Sequence, residues 1–338
     1  MRILLDVMGG DRPPGELIAG GVAAGRRHGI EMVFAGDELV VRRALDRIGV
    51  SPRDTAFSIL HAPDVVRMDD APVRAAREKR DSSLLRGLGA LAEAKVDAFV
   101  SPGNTGAVVA GSLFTLGRVA AIPRPGILVA LPTLEGRDLL VIDVGANADC
   151  SAEHLESFAL MGVTYARSVL GIAQPSVGLL NIGEEDTKGN RLTIEAFRAL
   201  RERPLDFRGN VEPHDLLTER PVDVVVCDGF VGNVLLKSVE GGVAAVTTLL
   251  KRAVVRNLIT KLGAFLLQHS FRTLRATLSY SRRGGAPLLG VNGVVVIAHG
   301  RSDAEAIGSA IDVAVREVRG DVVARLARGF EGWAADGI

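Results

Sequence analysis

The chemistry of this chain is most easily organised around Lys188. Of the 40 lysines and arginines only six are lysines, at 79, 95, 188, 237, 251 and 261. Where arginine is used almost everywhere, a compact ammonium just beyond a strand end suits a phosphate or a developing oxyanion better than a planar fork. Lys188 lies in Leu-Leu-Asn-Ile-Gly-Glu-Glu-Asp-Thr-Lys-Gly-Asn, residues 179–190. The apolar run 177–182 reads as a buried parallel strand, Gly183 ends it, and a helical pattern begins near Leu192. Ligands of open α/β sheets bind at such carboxyl ends. The bland alternative is a solvated turn in which Glu184, Glu185, Asp186 and Lys188 simply face water.

Five further polar loops follow strand-like runs. Asp6-Val-Met-Gly-Gly-Asp11 carries Gly9 and Gly10, whose N–H groups can approach an anion. Ser101-Pro-Gly-Asn-Thr-Gly106 brings Asn104 and Thr105 to a helix amino terminus. Asp143-Val-Gly-Ala-Asn147 and Asp228-Gly-Phe-Val-Gly-Asn233 follow two more runs, and His299-Gly300 ends the last. Each alone is an ordinary turn. Together with the Lys188 loop they are expected to cluster on one rim of a parallel sheet. His299 reads either as a proton donor to a leaving group or as a structural histidine. Cys227 closes an apolar run, so a buried inert thiol competes with a covalent nucleophile.

The elements that must position these loops alternate. Strand-like runs fall at 2–7, 32–35, 56–60, 98–100, 127–131, 139–144, 177–182, 222–227 and 293–297. Helical patterns fall at 15–28, 38–48, 82–94, 106–116, 152–170, 192–201, 302–319 and 321–335, and another starts after Asp228. Alternation of this kind predicts right-handed crossovers and a largely parallel sheet. With no repeat or clear linker, residues 1–338 are expected to form one unit.

Composition bounds the rest. Hydrophobic residues make up 47% and aromatics 4% of 338 residues, a core of Val, Leu, Ile and Ala. Forty acidic residues balance forty basic ones, so nothing draws the chain to nucleic acid. Two cysteines, 150 and 227, make neither a disulfide framework nor a zinc site, which suits a reducing cytoplasm. Neither a P-loop nor a Gly-x-Gly-x-x-Gly after the first strand is present.

One segment differs. Between Gly241 and Ser302 there is no carboxylate, while Lys251, Arg252, Arg256, Lys261, Arg272, Arg275, Arg282 and Arg283 fall inside it. Leu250, Val254, Leu258 and Leu262, then Leu267, Phe271, Leu274 and Leu278, form apolar stripes around Gly263. This predicts an amphipathic helical hairpin at about 249–281 whose tip, Phe265, Leu266 and Leu267, meets an anionic membrane surface. A dimerising hairpin is the alternative.

Taken together, the motifs at 6–11, 102–107, 143–147, 181–190, 228–233 and 284–290 resemble those of the PlsX family, the bacterial phosphate acyltransferases, in order and spacing. Pro102 and Pro213-His214 depart from the family pattern. The resemblance implies a homodimeric three-layer α/β/α sandwich of the isocitrate/isopropylmalate-dehydrogenase type, with a mostly parallel sheet and a protruding hairpin. It implies long-chain acyl-ACP plus inorganic phosphate as substrates, acyl phosphate as product, and a glycerol-3-phosphate acyltransferase as consumer. No cofactor and no metal are implied. By motif, the catalytic lysine and asparagine fall on Lys188 and Asn233. Asp6, Gly9, Gly10, Asn104, Thr105, Asn147, Asp228 and His299 are the candidate substrate contacts. The expected location is the cytoplasm, peripherally at the inner face of the membrane. The rival readings are a short-chain phosphotransacetylase using acyl-CoA, a decarboxylating dehydrogenase of the same fold, and a non-catalytic scaffold for acyl carrier protein.

Overall fold

The computed structural model describes residues 1–51, 54–218, 221–254 and 284–335. Most of the hairpin expected at about 249–281, with Phe265, Leu266 and Leu267, lies outside the described residues.

Among the described residues eleven strands form one sheet. They are β1 (Arg2–Asp6), β2 (Glu31–Gly36), β3 (Phe57–His61), β4 (Ala98–Ser101), β5 (Gly126–Pro132), β6 (Asp138–Ile142), β7 (Ser176–Leu180), β8 (Asp206–Val211), β9 (Val224–Val226), β10 (Ala286–Leu289) and β11 (Val294–Ile297). Their order is β3-β2-β1-β4-β11-β10-β5-β6-β9-β7-β8. The helices are α1 (Pro14–His28), α2 (Glu38–Arg47), α3 (Pro72–Glu78), α4 (Ser83–Ala92), α5 (Thr105–Thr115), α6 (Ala152–Val169), α7 (Arg191–Arg201), α8 (Gly229–Val254), α9 (Ala304–Arg319) and α10 (Val322–Ala335).

The layers follow from which face each strand residue takes. Ile3 and Leu5 pack with Leu17, Ile18 and Ile307 of α1 and α9. Leu4, pointing the other way, packs with Leu84 and Leu88 of α4 and with Val108 of α5. In the far half Leu140 and Ile142 meet Leu155 and Phe158 of α6. Val141, on the opposite face, joins Leu236 of α8. Strands apolar on both faces require helices on both sides, and each such buried side chain contributes about 1.5–3 kcal/mol. The expected α/β/α layering is thus present, on a mostly parallel sheet.

Nine of the strands sit where the apolar runs fall; two do not announce themselves. β8 is a polar edge strand carrying Gly209 at φ +94°, and its register with β7 shifts between Val177 and Leu179. β10 contains Pro287, which argues against a strand from sequence. It pairs antiparallel with β11 through Ala286 and Pro287, and antiparallel with β5 through Leu288 and Leu289. β5 and β6 are also antiparallel. The short turn between them, closed by Gly136 N–H donating to Thr133 O (3.1 Å), leaves no room for a crossover helix.

Candidate active site

These antiparallel steps sort the predicted site residues into two groups. β1, β4 and β11 run one way along the sheet, and β6, β9 and β7 run the other way. The single rim expected for a parallel sheet is therefore not formed. Asp6, Gly9, Gly10, Asn104, Thr105 and His299 follow strands that end on one rim. Asn147, Lys188, Asp228 and Asn233 follow strands that end on the opposite one.

The first group is closed upon itself. Asp6 is fully buried and accepts from Met8 N (3.0 Å), Gly9 N (3.1 Å) and Ser101 Oγ (2.8 Å). Burial pushes its carboxyl above the usual range, and those hydrogen bonds only partly offset this. A Cβ on Gly9 would stand 2.6 Å from Asp6 Oδ2 and 3.0 Å from Gly103 Cα, and one on Gly10 would stand 3.1 Å from Pro102 Cγ. These glycines allow backbone to press on backbone, and the Gly9 N–H is engaged by Asp6 rather than by open space. Asn104 caps α5, accepting from Ala107 N (3.1 Å) and donating to Met68 O (3.0 Å). Thr105 is exposed in the first turn of α5. His299 is exposed, and its Nδ1 accepts from Arg301 N (3.1 Å). It lines a cavity of about 580 Å³ with Leu131, Arg301, Leu236 and Val243.

The second group is built on Asp143, also fully buried. Its Oδ1 accepts from Ile127 N, Gly145 N and Ala146 N, each at 3.0 Å. Its Oδ2 accepts from Asn147 N (2.8 Å) and Asn147 Nδ2 (2.9 Å). Burial raises this carboxyl too, against the same hydrogen bonds. Asn147 also donates to Pro125 O (2.7 Å), and its carbonyl accepts from Gly229 N (2.8 Å). It is a structural bridge between the loop after β6 and the start of α8. Gly232 presses α8 so closely on Asp143 O that a Cβ there would overlap the carbonyl. Asp228 caps the helix, accepting from Phe230 N (3.1 Å) and Val231 N (2.9 Å). The Gly229 and Gly232 amides are likewise engaged, the latter by Asp228 O (2.9 Å). The backbone N–H groups of Gly229, Phe230, Val231 and Gly232 at the amino end of α8 are therefore all engaged within the fold.

The Lys188 loop is held from beneath and open above. Asn181 Nδ2 donates to Lys188 O (3.1 Å), and Asn210 Nδ2 donates to Glu185 O (2.9 Å). Gly189 has φ +101° and leaves no space for a Cβ beside Asn181 Oδ1 (2.5 Å). Asn190 caps α7 by accepting from Thr193 N (3.0 Å). The lysine side chain is about half exposed (48%), and its ammonium meets Glu185 only at 3.9 Å. Beside it opens a cavity of about 570 Å³ lined by Asn181, Gly189, Asn190, Asp228, Leu155, Leu180, Val231, Val234 and Leu235. Asn233 does not line it. Two positions after Val231, it falls on the far side of α8, where a Cβ on Gly145 would lie 3.8 Å from its Oδ1. Lys188 and Asn233 thus flank the start of α8 from opposite sides.

Cys227, on the cavity floor, is buried, and burial pushes its thiol well above the usual range. Cys150 is pushed up to about 11, first by burial. Sequence reasoning missed Asp143, Asn181 and Gly232 as builders of this site. An aspartate and an asparagine closing apolar runs were the available signal. Among the described residues no three His, Cys, Asp or Glu side chains converge to hold a metal ion.

Residues 1–325 match the family described as fatty acid synthesis protein. The chain is 46% identical over 330 residues to the phosphate acyltransferase of Desulforudis audaxviator, covering 98% of this chain and 96% of that one. It belongs to that family. A second member, the phosphate acyltransferase of Geobacillus thermodenitrificans, is 45% identical over 96% of this chain and 97% of its own. Membership agrees with the resemblance carried by the motifs. The fold is shared with a phosphotransacetylase from Streptococcus pyogenes (TM-score 0.62, 15% identity, 94% of each chain). It is shared also with a 4-hydroxythreonine-4-phosphate dehydrogenase from Klebsiella pneumoniae (TM-score 0.56, 15% identity, 94% of this chain and 98% of that one).

Proposed function

We propose that the chain transfers a long-chain acyl group from the thioester of acyl carrier protein to inorganic phosphate. A phosphate oxygen attacks the thioester carbonyl, a C–O bond forms, the C–S bond breaks, and the thiolate leaves with the carrier. The observation that carries this reading is the near full-length match to phosphate acyltransferases. An apolar cavity lined by Gly189 and Asn190, next in the chain to a half-exposed lysine, supports it. Lys188 stabilises the incoming phosphate or the tetrahedral oxyanion, an effect of about 3–4 kcal/mol if it acts like one oxyanion-hole donor. Asn233 acts from the other side of α8. Attack is direct, since a thiol as buried as Cys227 forms little thiolate. Acyl phosphate then passes to a glycerol-3-phosphate acyltransferase at the inner face of the membrane.

Two partners complete the proposal. Val246, Leu249 and Leu250 are exposed apolar residues on α8, as a homodimer interface requires. The basic segment expected to form the hairpin docks on anionic lipid, so Phe265→Glu with Leu266→Glu abolishes liposome flotation and leaves soluble turnover intact. Collapse to inactive monomers would instead mark the hairpin as a dimer contact. The deciding assay incubates pure protein with palmitoyl-ACP and phosphate, then traps acyl phosphate with hydroxylamine. With acetyl-CoA in place of palmitoyl-ACP, a trapped acetyl product alone would favour the short-chain reading, and no product from either would favour the scaffold.

A further inference from the structure

Two cavities of nearly equal size border α8, and the spacing of their linings separates them. Val231, Val234, Leu235 and Ser238 follow i, i+3, i+4, i+7 and face the Lys188 loop. Leu236, Val239, Glu240 and Val243 follow the same rhythm five residues later and face His299 and Arg301. Five residues turn a helix by about 140°, so α8 is a partition between the two spaces.

We infer that the cavity beside Lys188 is the acyl-chain pocket, and that Val234 and Leu235 on α8 set how long a chain it takes. The inference rests on the acyl-transfer reading and goes beyond it by assigning the chain a path. Three observations support it. Gly189 and Asn190, the two residues after Lys188, line its rim, so the cavity adjoins the loop that carries the ammonium. The floor is apolar and buried: Leu155, Leu180 and Cys227 are each 5% exposed or less. The mouth is apolar yet open, with Ile182 79% and Val234 50% exposed, an arrangement that a water-facing turn does not need. A volume of about 570 Å³ lies in the range of ligand pockets, and each methylene seated there is worth up to about fourfold in binding. The cavity beyond α8 has the volume but no catalytic loop on its rim.

The test compares C4 and C16 acyl carriers as substrates. Val234→Trp fills the pocket at a half-exposed site that tolerates size, so kcat/KM for C16 is expected to fall at least tenfold while C4 changes less than twofold. Leu235→Ala lengthens the space and shifts the optimum to longer chains. Val243→Trp, in the other cavity, leaves the chain-length profile unchanged. Equal loss at both lengths, no change at either, or a shift produced by Val243→Trp would overturn the assignment. Loss of all activity together with a dimer-to-monomer shift by light scattering would make this face an interface between copies and also overturn it. A fluorescent 16-carbon fatty acid gives a readout besides activity. It binds wild type and Val243→Trp and binds Val234→Trp at least tenfold more weakly, a contrast that stands even if no acyl phosphate were formed and the acyl-transfer reading failed.

Discussion

Asp6 and Asp143 occupy equivalent positions in the two halves of the sheet, yet the regions they organise differ. Each is a fully buried carboxylate at or just after the end of a strand, gathering backbone N–H groups. Around Asp6 the polar loop closes: glycine meets glycine, Asn104 is engaged as a cap, and the Gly9 amide is taken. Around Asp143 the loop braces α8, and next to α8 an open apolar cavity adjoins the Lys188 loop. The same kind of motif is therefore a knot in one place and a scaffold for a site in the other. What separates them is whether the side chains have partners, a property of the fold.

The sharpest way to break this comparison is to remove one polar side chain from each region. Lys188→Ala is expected to lower turnover by about a hundredfold or more with an unchanged melting curve. Asn104→Ala removes a helix cap, so it should cost about 0.5–2 kcal/mol of stability and leave kcat within a few-fold. Steady-state kinetics beside thermal melts would read both. If Asn104→Ala abolished turnover in a stable protein, the first region would be catalytic and the contrast false.

The two aspartates give a second, smaller test. Both carboxyls are raised by burial, so each folded carboxyl keeps its proton to higher pH than its unfolded counterpart. As pH climbs past the unfolded value, the unfolded chain ionises first and the folded state loses ground until the raised folded value is passed. Asparagine lacks that slope. Asp6→Asn and Asp143→Asn should each be less stable than wild type by about 1–3 kcal/mol at acid pH, because an acceptor becomes a donor. The deficit should shrink as pH rises and then level. Denaturant titrations across pH would show it, and a deficit growing with pH would contradict the sign. Only Asp143→Asn should also reduce turnover, since it alone releases Asn147 and the start of α8.

Much of the fold was legible because buried parallel strands are apolar on both faces. Ile3, Leu4 and Leu5 declare a strand, and their helices follow by alternation. β8 and β10 were hidden because an edge strand can be polar and because Pro287 forbids only part of a ladder. The site was half legible. The loops at strand ends could be read, but which rim they share depends on β10 and on the turn after β5, where strand direction reverses. The isolation of Asn233 from Val234 follows from helical spacing once the start of α8 is fixed.

The smallest expected effect concerns Cys227. Cys227→Ala should keep most activity, and intact mass should reveal no acyl-enzyme when phosphate is omitted. A stable adduct on Cys227 would place covalent chemistry on the floor of the cavity and redraw the second region.

β10 has a mechanical consequence. Its first two residues pair only with β11 and its last two only with β5. The ladder thus changes hands partway along one short strand, and a proline with no N–H stands at the handover. Most neighbouring strands share three or more pairs, while β10 has two pairs with each neighbour, backed by apolar side chains such as Leu288, Ile127 and Val295. Packed side chains resist separation but permit small sliding motions. β10 is thus the thinnest line of the ladder, and shear along it would shift the Asp6 and Lys188 regions past each other while leaving both intact.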